Sequence, residues 1–253
     1  MNNCEKIEDL RLFLARYGLP PVRPALSLDM ATMDRVLGGG LIPGALHEVY
    51  AQDWAASGFA ACLAIRAAGR KPLFWVRPDY EALEYGALHA QGLAELGGDA
   101  DNLFLVRTAN ATDALAAASD ILTCPHVGAL LLEISGHPKA LDLVASRRLN
   151  FIAGETGVTP ILLREGADVF PSAAQTRWHV SSAASAGDDW GLPSFTAELG
   201  RNRLGPTGCW RLTWNPDNGL FRESVRPEQA PHPGRVVAAA FDRPAEEKRR
   251  IAF

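Results

Sequence analysis

Residues 51–60 read Ala-Gln-Asp-Trp-Ala-Ala-Ser-Gly-Phe-Ala, between an apolar strand-like run (Leu46 to Ala51) and an Ala-rich helix-like run (Gly58 to Arg70). A loop in that setting is where nucleotide chemistry holds phosphate. Its backbone N–H groups must turn inward, which takes glycines. A lysine must reach the β- and γ-phosphates, and a Ser or Thr hydroxyl must hold magnesium. The spacing required is a glycine, four residues, then Gly-Lys-Ser/Thr. Here Ala51 stands for the first glycine, and six residues separate it from Gly58. Phe59 follows where the lysine is needed, and Ala60 where the hydroxyl is needed. Asp53 puts negative charge in a loop meant for phosphate, and Trp54 either fills that space or faces a partner. Without the cation and the metal ligand, the main electrostatic aid to phosphoryl transfer is gone. ATP is therefore not expected as a cofactor, nor hydrolysis as an activity. Residual nucleotide binding through Gly58 stays open.

Other residues with chemical potential are isolated. Glu133 ends the apolar run Val127 to Ile134 and would suit a metal-bound water at a strand's carboxyl end. Beside a broken loop it reads as a vestigial acid, neutralised locally or exposed. Asp79 and Glu81 open a helix-like stretch, where an acid more commonly answers the helix dipole than acts as a base. His47 and His89 show no spacing to either that demands acid–base work, and no Ser/His/Asp grouping stands out. Cys4, Cys62, Cys124 and Cys209 are far apart, with no CxxC pair, so neither a zinc site nor a disulfide framework is expected. Reduced, buried thiols are the plain reading. Arg147, Arg148, Arg201 and Arg203 are the best local basic candidates for DNA or partner contacts, although a solvated helix face would also explain the first pair. Of the six tryptophans, most are expected in the core or at an interface rather than in a stacking surface for single strands.

The elements that would position these residues alternate. Strand-like runs at 46–51, 72–76, 103–107, 127–134 and 158–163 are separated by helix-like runs at 58–70, 79–96, 110–122 and 138–154. Such an order predicts an α/β domain with a parallel sheet and helices on both faces. Asn110 or Thr112 is expected to cap the helix that follows it. From about Thr176 the pattern shifts to alternating runs with turn signals, which predicts antiparallel strands at the sheet edge toward the C-terminus. Residues 1–24 read as an N-terminal helix, at 5–18, and a linker. Residues 25–225 form the core, and 226–253 a proline-punctuated tail. In that tail Phe241, Arg249, Arg250, Ile251 and Phe253 mix apolar anchors with charge. Such a segment either orders on a partner or stays a free end.

Composition narrows the classes. The net charge is −4, from 25 basic and 29 acidic residues, so strong autonomous DNA binding is not expected. No apolar run is long enough for a membrane helix, and the polar, acidic start is unlike a signal peptide. A cytoplasmic location is expected.

Several segments carry a resemblance. Ala25 to Asp29, Leu37 to Leu41 and Gly44 to Tyr50 resemble the run leading into the phosphate loop of RecA. Residues 93–122 resemble the RecA segment before its Walker B strand. Residues 127–135 resemble that strand, with Glu133 in place of the family's aspartate. Residues 146–165 and 198–208 resemble the helix, strand and hairpin that follow. As a whole the chain resembles the ImuA family of RecA-like proteins, encoded beside ImuB, a catalytically dead Y-family polymerase relative, and an error-prone DnaE-type polymerase. The resemblance implies a RecA-like fold and a non-catalytic accessory role in SOS mutagenesis and translesion synthesis. It implies an ImuB-like partner, the error-prone polymerase reached through it, RecA or a second copy as further partners, and DNA contacted indirectly. Where RecA keeps its catalytic glutamate, this chain has Pro78 or a neighbour. The loops 135–138 and 166–175 look too short and too poor in basic residues to grip a strand. A DNA-stimulated ATPase and an SOS-induced cell-division inhibitor remain the alternative readings.

Overall fold

The computed structural model describes residues 23–51, 53–185 and 192–224. The helix expected at 5–18, the tail 226–253 with its five singled-out residues, and Trp190 lie outside the described residues.

Nine strands form one sheet: β1 (His47–Ala51), β2 (Leu73–Pro78), β3 (Leu103–Thr108), β4 (Ala129–Glu133), β5 (Thr159–Arg164), β6 (Thr176–Ser182), β7 (Ser194–Asn202), β8 (Gly208–Asn215) and β9 (Leu220–Glu223). Their order across the sheet is β3-β2-β4-β5-β1-β6-β7-β8-β9. Neighbours from β3 to β6 pair in parallel, and those from β6 to β9 pair antiparallel. The sequence-based fold class therefore holds. Every residue of β4 and of β5 is buried, as expected of strands covered on both faces.

The helices are α1 (Ala31–Val36), α2 (Ala55–Ala68), α3 (Asp79–Tyr85), α4 (Ala90–Glu95), α5 (Ala111–Leu122) and α6 (Leu143–Thr156). Three boundaries depart from the sequence reading. Helix α2 starts at Ala55, not Gly58. The single helix expected over 79–96 is divided at Gly86, whose φ of 82° stops α3, and His89 then caps α4 by accepting the Gly92 N–H. Helix α6 starts at Leu143 rather than Pro138, because the Asp142 carboxylate accepts the Ala145 N–H and sets the first turn there. Asn110, one of the two expected caps, accepts from Asp113 N at the start of α5.

Two apolar layers flank the sheet. One holds α5 and α6 against Leu46, Val76, Leu130, Leu132 and Leu162. The other surrounds α2. Residues Phe59 to Ala64 of that helix are all buried, a consecutive run longer than one turn, so α2 is enclosed on every side. The enclosure comes from the sheet itself. Phe59 packs against Trp178 of β6, Phe195 of β7 and Phe221 of β9, with ring centroids 5.7, 5.7 and 5.4 Å away. Trp214 of β8 donates through Nε1 to the Leu96 carbonyl just past α4, at 2.9 Å. The antiparallel end of the sheet thus curls over α2 to reach the opposite side.

Candidate functional site

The β1–α2 loop lies at the carboxyl end of the central strand β1, where open α/β sheets place their ligands. Its geometry is held by Asp53. One carboxylate oxygen accepts the Ala55 N–H at 2.9 Å, and the other accepts both the Ser182 N–H and the Ser182 hydroxyl at 2.7 Å. Partial desolvation works against the charge, yet the Ser182 and Ala55 donors hold this carboxyl below its ordinary range. Asp53 is therefore a tie between the start of α2 and the end of β6, beyond the simple repulsive charge read from the sequence.

The early start of α2 shifts the phosphate-loop register. Counted from Ala51 without a gap, the lysine position falls on Ser57 and the hydroxyl position on Gly58. This corrects the assignment of those roles to Phe59 and Ala60, which are fully buried in the core. Gly58 is not a loop glycine either. It lies within the first turn of α2, and a Cβ there would sit 3.5 Å from the Phe195 ring. Trp54 is 67% exposed and meets Tyr85 of α3 edge-on, with centroids 5.5 Å apart and planes at 69°. The two rings border a cavity of about 250 Å³ lined also by Ala51, Asp53, Glu165 and Gly166.

Three carboxylates lie beneath this loop and beside it, at the ends of β2, β4 and β5. Glu133 is buried, accepting from Arg77 Nη2 and from Trp75 Nε1 at 2.9 Å each. Burial pushes its pKa up to about 7, despite the opposing pull of Arg77 and the Trp75 hydrogen bond. It is neutralised locally, not exposed. Glu81 is fully buried rather than a surface partner of the helix dipole, and it accepts the Ser135 N–H at 2.7 Å. Asp79, by contrast, forms an exposed pair with Arg107. Glu165 follows β5 directly. It is 4% exposed, accepts the Ser57 hydroxyl at 2.7 Å through Oε1, and leaves Oε2 without a hydrogen-bond partner. Burial raises its pKa, with Ser57 opposing and the Glu81 charge adding to the rise. The sequence reading missed Ser57, Tyr85, Arg77 and Glu165. Only the adjacency of β5 to β1 brings Glu165 under the loop.

On the other face of the sheet, Glu48 pairs with Arg177 at 2.9 Å. His47 is fully buried between Thr176 Oγ1 and the Ile42 carbonyl. Burial lowers its pKa to about 4, against the opposing effect of the Ile42 carbonyl, so it is a neutral structural residue. Arg147 and Arg148 are exposed on α6. Arg201 and Arg203 instead donate to the Ser172 and Ala173 carbonyls, which fastens β7 and the turn after it to the β5–β6 connection. The four arginines therefore do not share one role. The connection from β4 to α6 spans 134–142 and includes His137 and Lys139, so it is longer and more basic than expected. Cys62 is buried, whereas Cys124 and Cys209 are exposed thiols, contrary to the expectation of uniform burial; Cys4 lies outside the described residues. Trp75, Trp178, Trp210 and Trp214 are in the core as expected. Among the described residues no His/Cys/Asp/Glu group is placed to hold a metal, and no helix is long and apolar enough to cross a membrane.

No protein-family model matches the chain, and no curated protein matches it. A solved structure described as that of the RadB recombinase superposes with a TM-score of 0.53 at 15% identity, covering 79% of this chain and 100% of that one. That similarity shows the fold, which is RecA-like.

Proposed function

We propose that the chain is a non-catalytic RecA-like accessory subunit of damage-induced mutagenesis, which binds an ImuB-like protein and through it supports an error-prone polymerase. One observation carries the non-catalytic part. Ser57, in the lysine's place, donates its hydroxyl to Glu165, so the loop closes onto an acid instead of presenting cations to phosphate. Arg77, the strand-end cation whose charge acts on Glu165, is already engaged by Glu133 and the Gly86 carbonyl. The resemblance of the whole chain to the ImuA family, on a core over residues 25–222 that resembles RecA, supports the choice of partner. The net charge of −4 supports indirect contact with DNA.

Two measurements test this reading. Calorimetry with magnesium-ATP is expected to give no binding heat. Turnover of ATP that disappears on altering Gly58 or Glu133 would overturn the proposal in favour of a DNA-stimulated ATPase. Co-purification with an ImuB-like protein is expected from the full chain and is expected to be lost on deleting residues 226–253. Unchanged binding by the shortened chain would remove the tail from the interface, and no binding by the full chain would remove the partner.

A further inference from the structure

The place where a RecA-like fold meets phosphate is inverted in this chain. Two aromatic rings, Trp54 and Tyr85, stand at 69° to one another beside a cavity lined also by Glu165, and the Tyr85 hydroxyl lies 3.5 Å from where a Cβ on Gly166, another lining residue, would be. Every charged side chain lining the cavity is acidic. Asp53 has its oxygens committed to Ser182 and Ala55. Glu165 does not: Oε1 takes the Ser57 hydroxyl, while Oε2 is buried with no partner. An orphaned carboxylate oxygen in a buried setting carries a desolvation cost that a donor would relieve.

We propose that this pocket receives the guanidinium group of an arginine presented by a protein partner. A cation over the face of a Trp or Tyr is attracted by the ring quadrupole, most strongly by Trp. A planar guanidinium can stack on the ring and still donate to a carboxylate, which an ammonium does less well. The size agrees. At about 250 Å³ the cavity is smaller than the roughly 300–1,000 Å³ of small-molecule pockets, so it suits one side chain rather than a nucleotide. The rim agrees with a protein rather than a free amine: Trp54, which lines the cavity, is 67% exposed, an apolar surface of the kind that marks protein contacts.

This inference rests on the reading that the loop does not take phosphate, and the test separates the two. Full-length protein labelled with fluorotryptophan gives a fluorine NMR signal for Trp54, assigned by its loss in Trp54→Phe. Acetyl-arginine-amide is expected to displace that signal saturably at millimolar concentration, while the neutral isostere acetyl-citrulline-amide leaves it in place. Glu165→Gln is expected to weaken the response about tenfold, with the core tryptophan signals unmoved as a report on folding. A peptide carrying the arginine between apolar residues is expected to bind several-fold more tightly than the amide, and equal affinity would overturn the assignment to a protein segment. No displacement by arginine, equal displacement by citrulline, or an undiminished response in Glu165→Gln would each overturn the pocket. Displacement by magnesium-ATP would sink both this inference and the non-catalytic reading. Silence to both ATP and arginine would sink this inference alone.

Discussion

At the scale of single residues, charge at the strand ends is spent on structure. Asp53 accepts three hydrogen bonds that join a helix start to a strand end. Asp53→Ala is expected to lower unfolding free energy by about 1–3 kcal/mol, read from urea midpoints. Two of the buried titrating groups, Glu133 and His47, oppose one another in their pH dependence. Glu133 has its pKa raised from 4.5 to about 7, so its contribution to stability is present below pH 4.5 and lost as pH rises toward 7. His47 has its pKa lowered from 6.5 to about 4, so its contribution is present above pH 6.5 and lost as pH falls toward 4. Each is worth about 3 kcal/mol across its window. The summed contribution of this pair is therefore expected to be nearly level between pH 4.5 and 6.5, a plateau that the raised pKa of Glu165 tilts downward as pH rises. Glu133→Gln is expected to turn that plateau into a rise with pH, and His47→Asn into a fall. Denaturation at a series of pH values checks both, and a plateau unchanged in both variants would refute the opposition. The sequence showed that the lysine and hydroxyl were missing. It could not show what replaced them, because Ser57 and Glu165 are 108 residues apart and meet only through strand order.

At the scale of elements, α2 explains most of what sequence patterning misplaced. An Ala-rich run buried on every side has no polar stripe, so periodicity carries no mark of its start. The residue that sets the start, Asp53, works through Ser182, far off in the chain. Helix α6 was misplaced for a plainer reason. Pro138 is compatible with a first turn, but the Asp142 cap lies further on and decides the boundary. The division at Gly86 was legible as a glycine but not as a left-handed one. Phe59 is the keystone of α2. Phe59→Ala removes a fully buried ring that meets three other aromatics and is expected to cost about 3–5 kcal/mol, seen as a fall in Tm. A small loss would mean that the curl of β7 to β9 over α2 is looser than described.

At the scale of the molecule, the architecture was largely readable. Alternating strand and helix patterns foretold the parallel half of the sheet, and the change of period after Thr176 foretold the antiparallel half. What no local pattern carries is the curl that brings Trp214 to Leu96. The same curl makes the tail deletion interpretable. Residues 226–253 begin just past β9, so a chain ending there keeps every strand found among the described residues. Its Tm is expected to be unchanged even as partner binding is lost, and a large drop would mean that the tail belongs to the core.

The closure of β7 to β9 over α2 has a consequence for synthesis. The ribosome delivers α2 early and the strands that cover it last. Between the synthesis of β6 and that of β9 the nascent chain therefore shows a naked aromatic flank around Phe59 and Trp178, the kind of surface that chaperones shield and that, unshielded, clumps. Ribosome-bound nascent chains stopped before β7 should be captured by a holdase, and release of that holdase should await the emergence of Phe221.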